Sequence, residues 1–217
     1  MFSEPIYLKS TLSALSLNCR RGGRDVFQNL SFEINSGEVL VLNGTNGSGK
    51  SSLLRIASGL LEPQSGKFHI KEGGASPITF DPKGCAHFIG HLFGIKPIET
   101  LKETIERWAE LFGYSPDTRN ILVKLGLEKL ANIQTKYLSE GQKRRLSLSR
   151  LLTIPMPLWL LDEPNAGLDN NSLETLFGII ENHCKVGGMV IMASHVEVGV
   201  NNFKTLNLDQ FKGEPNE

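Results

Sequence analysis

The chain has 217 residues, 40% hydrophobic and 21% charged, an ordinary make-up for a globular chain that buries one sizeable core. Its 23 basic residues balance 23 acidic ones, so overall charge gives no reason to expect nucleic acid as a partner. Cys19, Cys85 and Cys184 lack metal-ligand spacing and read as small buried side chains in a reducing compartment, no secretory signal is visible, and the longest apolar stretch, Leu151 to Leu161, is too short and too interrupted by Thr153, Pro155 and Pro157 to cross a bilayer.

In chain order, Leu15, Leu17 and Cys19 alternate with polar residues as a half-exposed strand would over Leu12 to Cys19. Arg20 to Arg24 then reads as a turn. Leu30, Phe32 and Ile34 repeat the two-residue period, and Ser36-Gly37 marks the next turn. An antiparallel β lobe thus feeds the apolar run Val39-Leu40-Val41-Leu42.

Gly44-Thr45-Asn46-Gly47-Ser48-Gly49-Lys50-Ser51 follows that run and fits the G-x-x-x-x-G-K-[ST] pattern, leading into a helix over Ser52 to Ala57. A buried strand, a glycine turn and a helix start in that order converge amide N–H groups on one anion. Lys50 is expected to pair with β- and γ-phosphates and Ser51 to ligate Mg²⁺. A glycine-rich turn with an incidental lysine is disfavoured, because all the constrained positions and both flanks agree.

Gly59 and Pro63 end the helical pattern, and Gly66 to Ile70 reads as a short strand closed by Gly73-Gly74. Cys85 to Gly90 is another apolar strand. Helical spacing runs from Ile98 to Phe112 and again from Thr118 through Leu125 to Leu130, which suggests an inserted helical lobe. Leu138-Ser139-Glu140-Gly141-Gln142 introduces a helix through about Leu152, with Ser139 and Gln142 spaced as a capping box. A capped, glycine-containing helix start is also a candidate anion site. Lys143-Arg144-Arg145 behind it reads as a solvated helix face rather than a nucleic-acid patch. Leu158 to Leu161 reads as a strand covered on both faces, Ser172 to Cys184 as a helix broken by Gly187-Gly188, Met189 to Ala193 as the next buried strand, and Lys212 to Glu217 as a loose end. Strands alternating with helices imply a parallel sheet.

Ligands of such sheets sit outside the carboxyl ends of the strands. One run ends in Asp162-Glu163, where Asp162 is expected to bind Mg²⁺, directly or through water, and Glu163 to orient or deprotonate an attacking water. Another ends in Ser194-His195, and His195 could contact a γ-phosphate or hold Glu163. Alone, an acidic pair before Pro164 is an ordinary solvated strand end, and a lone histidine is an ordinary surface residue. Both occur in the order that the glycine loop predicts. His69, His87, His91 and His183 have no such support and read as structural.

With these residues in place the chain resembles the ABC-type ATPases over almost its whole length. The Walker A at Gly44 to Ser51, the signature Leu138 to Gln142, the Walker B Leu158 to Asp162 with Glu163, the D-loop Ala166-Gly167-Leu168-Asp169 and the switch His195 occur in the family's order. The resemblance implies an α/β fold: a P-loop NTPase, RecA-like core with a mainly parallel sheet, an N-terminal antiparallel β lobe and an inserted helical lobe. It implies one domain, with 1–91 and 155–217 as the nucleotide core and 92–154 as the helical lobe. It implies ATP as the nucleotide, held by Gly44, Thr45, Asn46, Gly47, Ser48, Gly49, Lys50, Ser51 and Ser52, and the lack of an Asn-Lys-x-Asp guanine motif disfavours GTP. The partner that the resemblance implies is a second copy in a head-to-tail dimer, whose Ser139, Gly141 and Gln142 would close over ATP held by Lys50.

Three positions depart from the family pattern. Glu140 stands where Gly or Ala is usual, bringing a carboxylate near the phosphate site. Arg21 stands where an aromatic would stack on adenine, and its guanidinium plane could stack instead. Leu92 stands where a glutamine is expected. Ile89-Gly90-His91-Leu92-Phe93-Gly94-Ile95-Lys96 and Asn18 to Arg24 are similar to the heme-exporter subfamily, the ATP-binding subunits of system I cytochrome c maturation. That resemblance implies a peripheral place on the cytoplasmic face of the inner membrane, or the matrix face in a mitochondrion, beside integral membrane subunits. ATP would drive heme export or release of a heme-loaded chaperone. The alternatives are the ATP-binding subunit of another small transporter, or a soluble ABC ATPase in cofactor assembly.

Overall fold

A two-residue turn starts the architecture. Gly22 and Gly23 take φ of +55° and +81°, the left-handed pair that matches the twist of a tight hairpin. They join β1 (Ser10–Arg21) to β2 (Arg24–Asn35), which pair antiparallel from Thr11 opposite Asn35 to Arg21 opposite Arg24. The computed structural model describes residues 7–82, 84–91, 94–194, 199–201 and 203–212.

After the hairpin come β3 (Val39–Asn43) and α1 (Lys50–Ala57), then β4 (Ser65–Glu72) and β5 (Ile78–Thr79). The antiparallel sheet has the order β2-β1-β4-β5. A second sheet takes β3 together with β6 (Ala86–Ile89), β7 (Leu158–Asp162), β8 (Met189–Ala193) and β9 (Phe203–Asn207), all parallel, in the order β6-β7-β8-β3-β9.

Every residue of β7 and β8 is buried, which explains why both read as continuous apolar runs rather than alternating ones. Alternate residues face opposite cores. Leu40, Leu42, Leu158, Leu160 and Ile191 pack with Leu53 and Leu54 of α1 and with Phe27 and Leu30 of β2. Val39, Val41, Trp159, Leu161 and Val190 pack instead with Leu148, Leu151, Leu176 and Ile180. The last four lie on α4 (Glu140–Thr153) and α5 (Asn170–Lys185), while α2 (Leu101–Leu111) and α3 (Thr118–Lys124) come before α4 in the long connection between β6 and β7. A third core joins those middle helices through Leu101, Ile105, Trp108, Ile121, Leu122 and Leu146.

Several boundaries move from where the pattern alone puts them, each for a local reason. The first middle helix begins at Leu101 rather than Ile98, because Thr100 and Glu103 form a capping box and Ile98 is left 74% exposed. The second ends at Lys124, since Gly126 at φ +63° turns the chain, and only a 3-10 turn follows at Glu128–Leu130. Helix α5 starts at Asn170, two residues before Ser172, because the Asp169 carboxylate caps the Ser172 N–H. Strand β9 is absent from the expected elements. It is short, mostly exposed and at the sheet edge, so it carries neither an apolar run nor an alternation.

Two histidines read as structural are built into these cores. His183 stacks on Trp159 with ring centroids 3.7 Å apart, and burial pushes its pKa down to about 3. His87 donates from Nε2 to the Ile154 carbonyl at 2.8 Å; burial lowers its pKa to about 4 despite that bond, with the Arg150 charge adding to the effect. Both are neutral when folded and free to protonate when unfolded. Stability is therefore full above the unfolded histidine value of about 6.5 and falls as pH drops toward the folded values. Chemical denaturation should show a loss from pH 6.5 to pH 4 to which His87 contributes roughly 3 kcal/mol, and His87→Gln should flatten that slope; an unchanged slope would contradict the assignment.

Candidate functional site

Three parallel strands, β3, β7 and β8, are neighbours, so their carboxyl ends open at one edge of the sheet. The loop after β3 is shaped by glycines with φ of +138° at Gly44, +84° at Gly47 and +103° at Gly49. A Cβ at Gly44 would lie 2.6 Å from Ser48 Oγ, and one at Gly49 would lie 2.6 Å from Val26 Cγ1 and 2.8 Å from Phe27 Cδ1. Strand β2 therefore backs the loop directly, and only glycine fits against it.

Gly49 caps α1 without a side-chain hydrogen bond, and no acidic residue lies in the first turn. The N–H groups of Lys50, Ser51 and Ser52 have no intrahelical acceptor by helix geometry, which makes this end a cradle for an anion. Lys50 is 7% exposed, and its Nζ donates to the Gly44 carbonyl at 2.7 Å and the Thr45 carbonyl at 3.2 Å, folded across the loop. The end of β1 lies alongside, with the buried Cys19 thiol on the side of Ser52. There Arg20 is held by the Gly23 carbonyl and Asp25, while Arg21 is exposed.

Ser51 Oγ donates to Asp162 Oδ1 at 3.0 Å, so the loop and the end of β7 meet as expected. Asp162 is 1% exposed, and among the described residues its Oδ2 has no hydrogen-bond partner. A buried carboxylate oxygen left unpaired is costly unless a cation or water satisfies it. Among the described residues no group of three or more His, Cys, Asp and Glu side chains surrounds it. One carboxylate and one hydroxyl beside a phosphate cradle suit Mg²⁺, which keeps several waters and takes its remaining oxygens from substrate phosphates. The residues present therefore fit that cation.

Glu163 is half-buried and adopts φ +49°, a conformation uncommon outside glycine and worth about 1–3 kcal/mol of strain. Its N–H donates to the Ala193 carbonyl at 3.1 Å, and its own carbonyl accepts from Arg144 Nη2 at 2.8 Å. Arg144 Nη1 donates to the Gly90 carbonyl at 3.0 Å. Arg144 is only 3% exposed and so is no part of a solvated face, which corrects the expectation for Lys143 to Arg145. Consecutive residues of a helix differ by about 100° around its axis, so these three cannot share one side. Arg145 instead caps the Leu125 carbonyl at 3.1 Å, and Lys143 pairs with Glu140 at 2.7 Å. That pair keeps the Glu140 carboxylate on the helix surface.

The start of α4 is a complete capping box. Gln142 N–H donates to Ser139 Oγ at 3.2 Å and Ser139 N–H to Gln142 Oε1 at 2.9 Å, with Ser139 exposed. Accepting that bond leaves the hydroxyl proton available to an incoming acceptor. A Cβ at Gly141 would lie 2.9 Å from the Gly167 carbonyl, so the signature turn rests on the D-loop backbone. Helix α4 packs on α2, α3 and β6, whereas α1 packs on β7 and β8.

Two expected positions, His195 and Leu92, lie outside the described residues. Of the remaining histidines, His91 brings its Nε2 to 3.8 Å from Asp162 Oδ2. Asp209 was missed altogether. Its Oδ2 accepts from Thr45 N–H at 2.9 Å and its Oδ1 from Thr45 Oγ1 at 2.8 Å, and bonds from Lys212 and Thr45 hold its pKa down at about 2. It stands just after β9, and without that strand in the pattern nothing marked it.

A parallel sheet with a glycine cradle, a buried lysine and a serine–aspartate pair at its carboxyl edge defines a P-loop nucleotide-binding protein. The ABC transporter pattern matches residues 27–166, and the chain belongs to that family of ATP-binding subunits. It is 42% identical over 212 residues to a cytochrome c biogenesis ATP-binding export protein CcmA of Paramagnetospirillum magneticum, covering 93% of this chain and 95% of that one. A protein with the same designation from Bradyrhizobium diazoefficiens is 41% identical over 190 residues, covering 87% and 94%. Among solved structures, a Pyrococcus furiosus ATP-binding protein assigned to the ABC transporters superposes with a TM-score of 0.77 at 22% identity, covering 94% of this chain and 100% of that one. A dimeric ATP-binding cassette in a post-hydrolysis state with ADP and Pi gives 0.72 at 23% identity, covering 85% and 88%. At such identities the two structures bear on the fold alone, and the fold agrees.

Arg144 gives this site a sharp test. Replacing it with glutamine leaves two half-buried carbonyls short of a partner and empties the space of a buried guanidinium, so unfolding free energy should fall by about 2–4 kcal/mol. Turnover should fall about tenfold or more, the effect of 1.4 kcal/mol on the barrier. Nucleotide affinity by fluorescence titration should stay near the unsubstituted value, because no contact of the glycine loop is touched; turnover at the unsubstituted rate would contradict the role.

Proposed function

We propose that the chain is the ATP-hydrolysing subunit of a membrane complex for c-type cytochrome biogenesis. The supporting observation is the likeness to the biogenesis export proteins, which runs through nearly the full length of both chains rather than through the ATPase motifs alone. On this reading 1–91 and 155–217 form the nucleotide core and 92–154 the helical lobe.

Within the core, Gly44 to Ser52 wrap the phosphates with main-chain N–H groups, and Lys50 swings from the loop carbonyls onto the β- and γ-phosphates. Ser51 and Asp162 hold Mg²⁺, which when bound neutralises charge on the phosphate oxygens. Arg21 offers its guanidinium plane to the adenine. Glu163 orients or deprotonates the attacking water, its backbone fixed by Ala193 and Arg144. His195 contacts the γ-phosphate or steadies Glu163. A second copy, head to tail, brings Ser139, Gly141 and Gln142 over the nucleotide, adding a hydroxyl and the start of α4. Closure and reopening of that dimer drive an integral membrane partner toward heme export or release of a heme-loaded chaperone.

Among the described residues no helix is long and apolar enough to cross a membrane; on this reading the subunit is peripheral, on the cytoplasmic face of the inner membrane, or the matrix face in a mitochondrion. The test is deletion of the gene followed by heme staining of c-type cytochromes. Staining should be lost, restored by the unsubstituted gene and not by one encoding Glu163→Gln, which keeps ATP binding but lacks the group that handles water. Normal staining in the deletion strain would remove the biogenesis assignment and leave the ATPase.

A further inference from the structure

Among the described residues, the imidazole of His91 stands near the unpaired oxygen of Asp162. Asp162 Oδ1 is taken by Ser51 at 3.0 Å, while Oδ2 is buried and without a hydrogen-bond partner among the described residues. His91 Nε2 stands 3.8 Å from that oxygen. The gap is too long for a direct hydrogen bond and wide enough for one water to bridge.

The juxtaposition is anchored on both sides. One guanidinium, that of Arg144, holds the carbonyl of Gly90, next to His91, and the carbonyl of Glu163, next to Asp162. The backbones carrying the imidazole and the carboxylate are thus tied to the same buried group. The His91 side chain is itself 55% exposed, so packing does not account for its position.

We propose that His91 is a metal-positioning residue, whose Nε2 hydrogen-bonds a water carried by the divalent cation at Ser51 and Asp162. This rests on the assignment of those two residues to the cation. A small hard ion with one carboxylate and one hydroxyl from the protein retains several waters, and the groups that hold those waters set its affinity and orientation. His91 holds the water on the Oδ2 side, opposite the one occupied by Ser51. Spacing alone assigns it no such place, since the chemistry requires Asp162, a neighbour distant in the chain.

The test uses the full chain labelled with ¹⁵N-histidine, Mn²⁺ as the cation and a non-hydrolysable ATP analogue. Pulsed EPR should show weak ¹⁵N coupling to Mn²⁺ from a ring nitrogen in its second sphere. His91→Ala should abolish the coupling and weaken Mn²⁺ binding about tenfold. Bound Mn²⁺ without ¹⁵N coupling, coupling that persists in His91→Ala, or undiminished Mn²⁺ affinity in that variant would overturn the proposal. Asp162→Asn separates the two levels: if it also leaves Mn²⁺ binding unchanged, the assignment of Ser51 and Asp162 falls; if it alone abolishes binding, only the role of His91 falls.

Discussion

The buried guanidinium of Arg144 links three parts of the structure that the chain keeps far apart. It projects from α4, the helix that begins at the signature, and binds main-chain carbonyls beyond β6 and β7. A guanidinium offers a planar fork of donors, so one side chain can fix two carbonyls at a set spacing. Burying it costs desolvation, and that burial together with nearby Asp162 and Glu163 perturbs its pKa, with desolvation the larger effect and downward. The positive φ of Glu163 is held by the same contact, together with Ala193. A movement of α4 would therefore be felt at the backbone of Glu163, which couples the helical lobe to the proposed water-handling residue mechanically.

Much of this was legible from spacing. The glycine loop is a contiguous motif in which each residue type answers a local steric demand, so Gly44 to Ser51 could be assigned before any contact was known. The runs at Val39, Leu158 and Met189 were legible because both faces of a parallel strand are covered. The Ser139 capping box was legible because it needs only three residues of chain. What escaped depends on contacts across the fold. Arg144 looks like its neighbours Lys143 and Arg145 until the helix is docked. Asp209 reaches Thr45 only after β9 has crossed to the edge of the sheet. His91 acquires meaning only beside Asp162.

The site that one chain presents has a phosphate cradle, a serine–aspartate pair and the strained Glu163, but the signature turn belongs to a different helix packed on different elements. Ser139 is exposed, its hydroxyl has a proton to donate, and Gly141 lies close against the Gly167 carbonyl, so the turn is an ordered, exposed surface. On the proposed reading this surface is the second half of a site supplied to another copy. The cap orders the turn in advance, which lowers the entropy that closure would otherwise cost.

The most direct test of that composite site is sedimentation of the Glu163→Gln chain with and without ATP. ATP should convert monomer to dimer, and adding Ser139→Arg should abolish the dimer while each chain still binds ATP. A dimer that forms without ATP, or an ATP-driven dimer indifferent to Ser139→Arg, would contradict it.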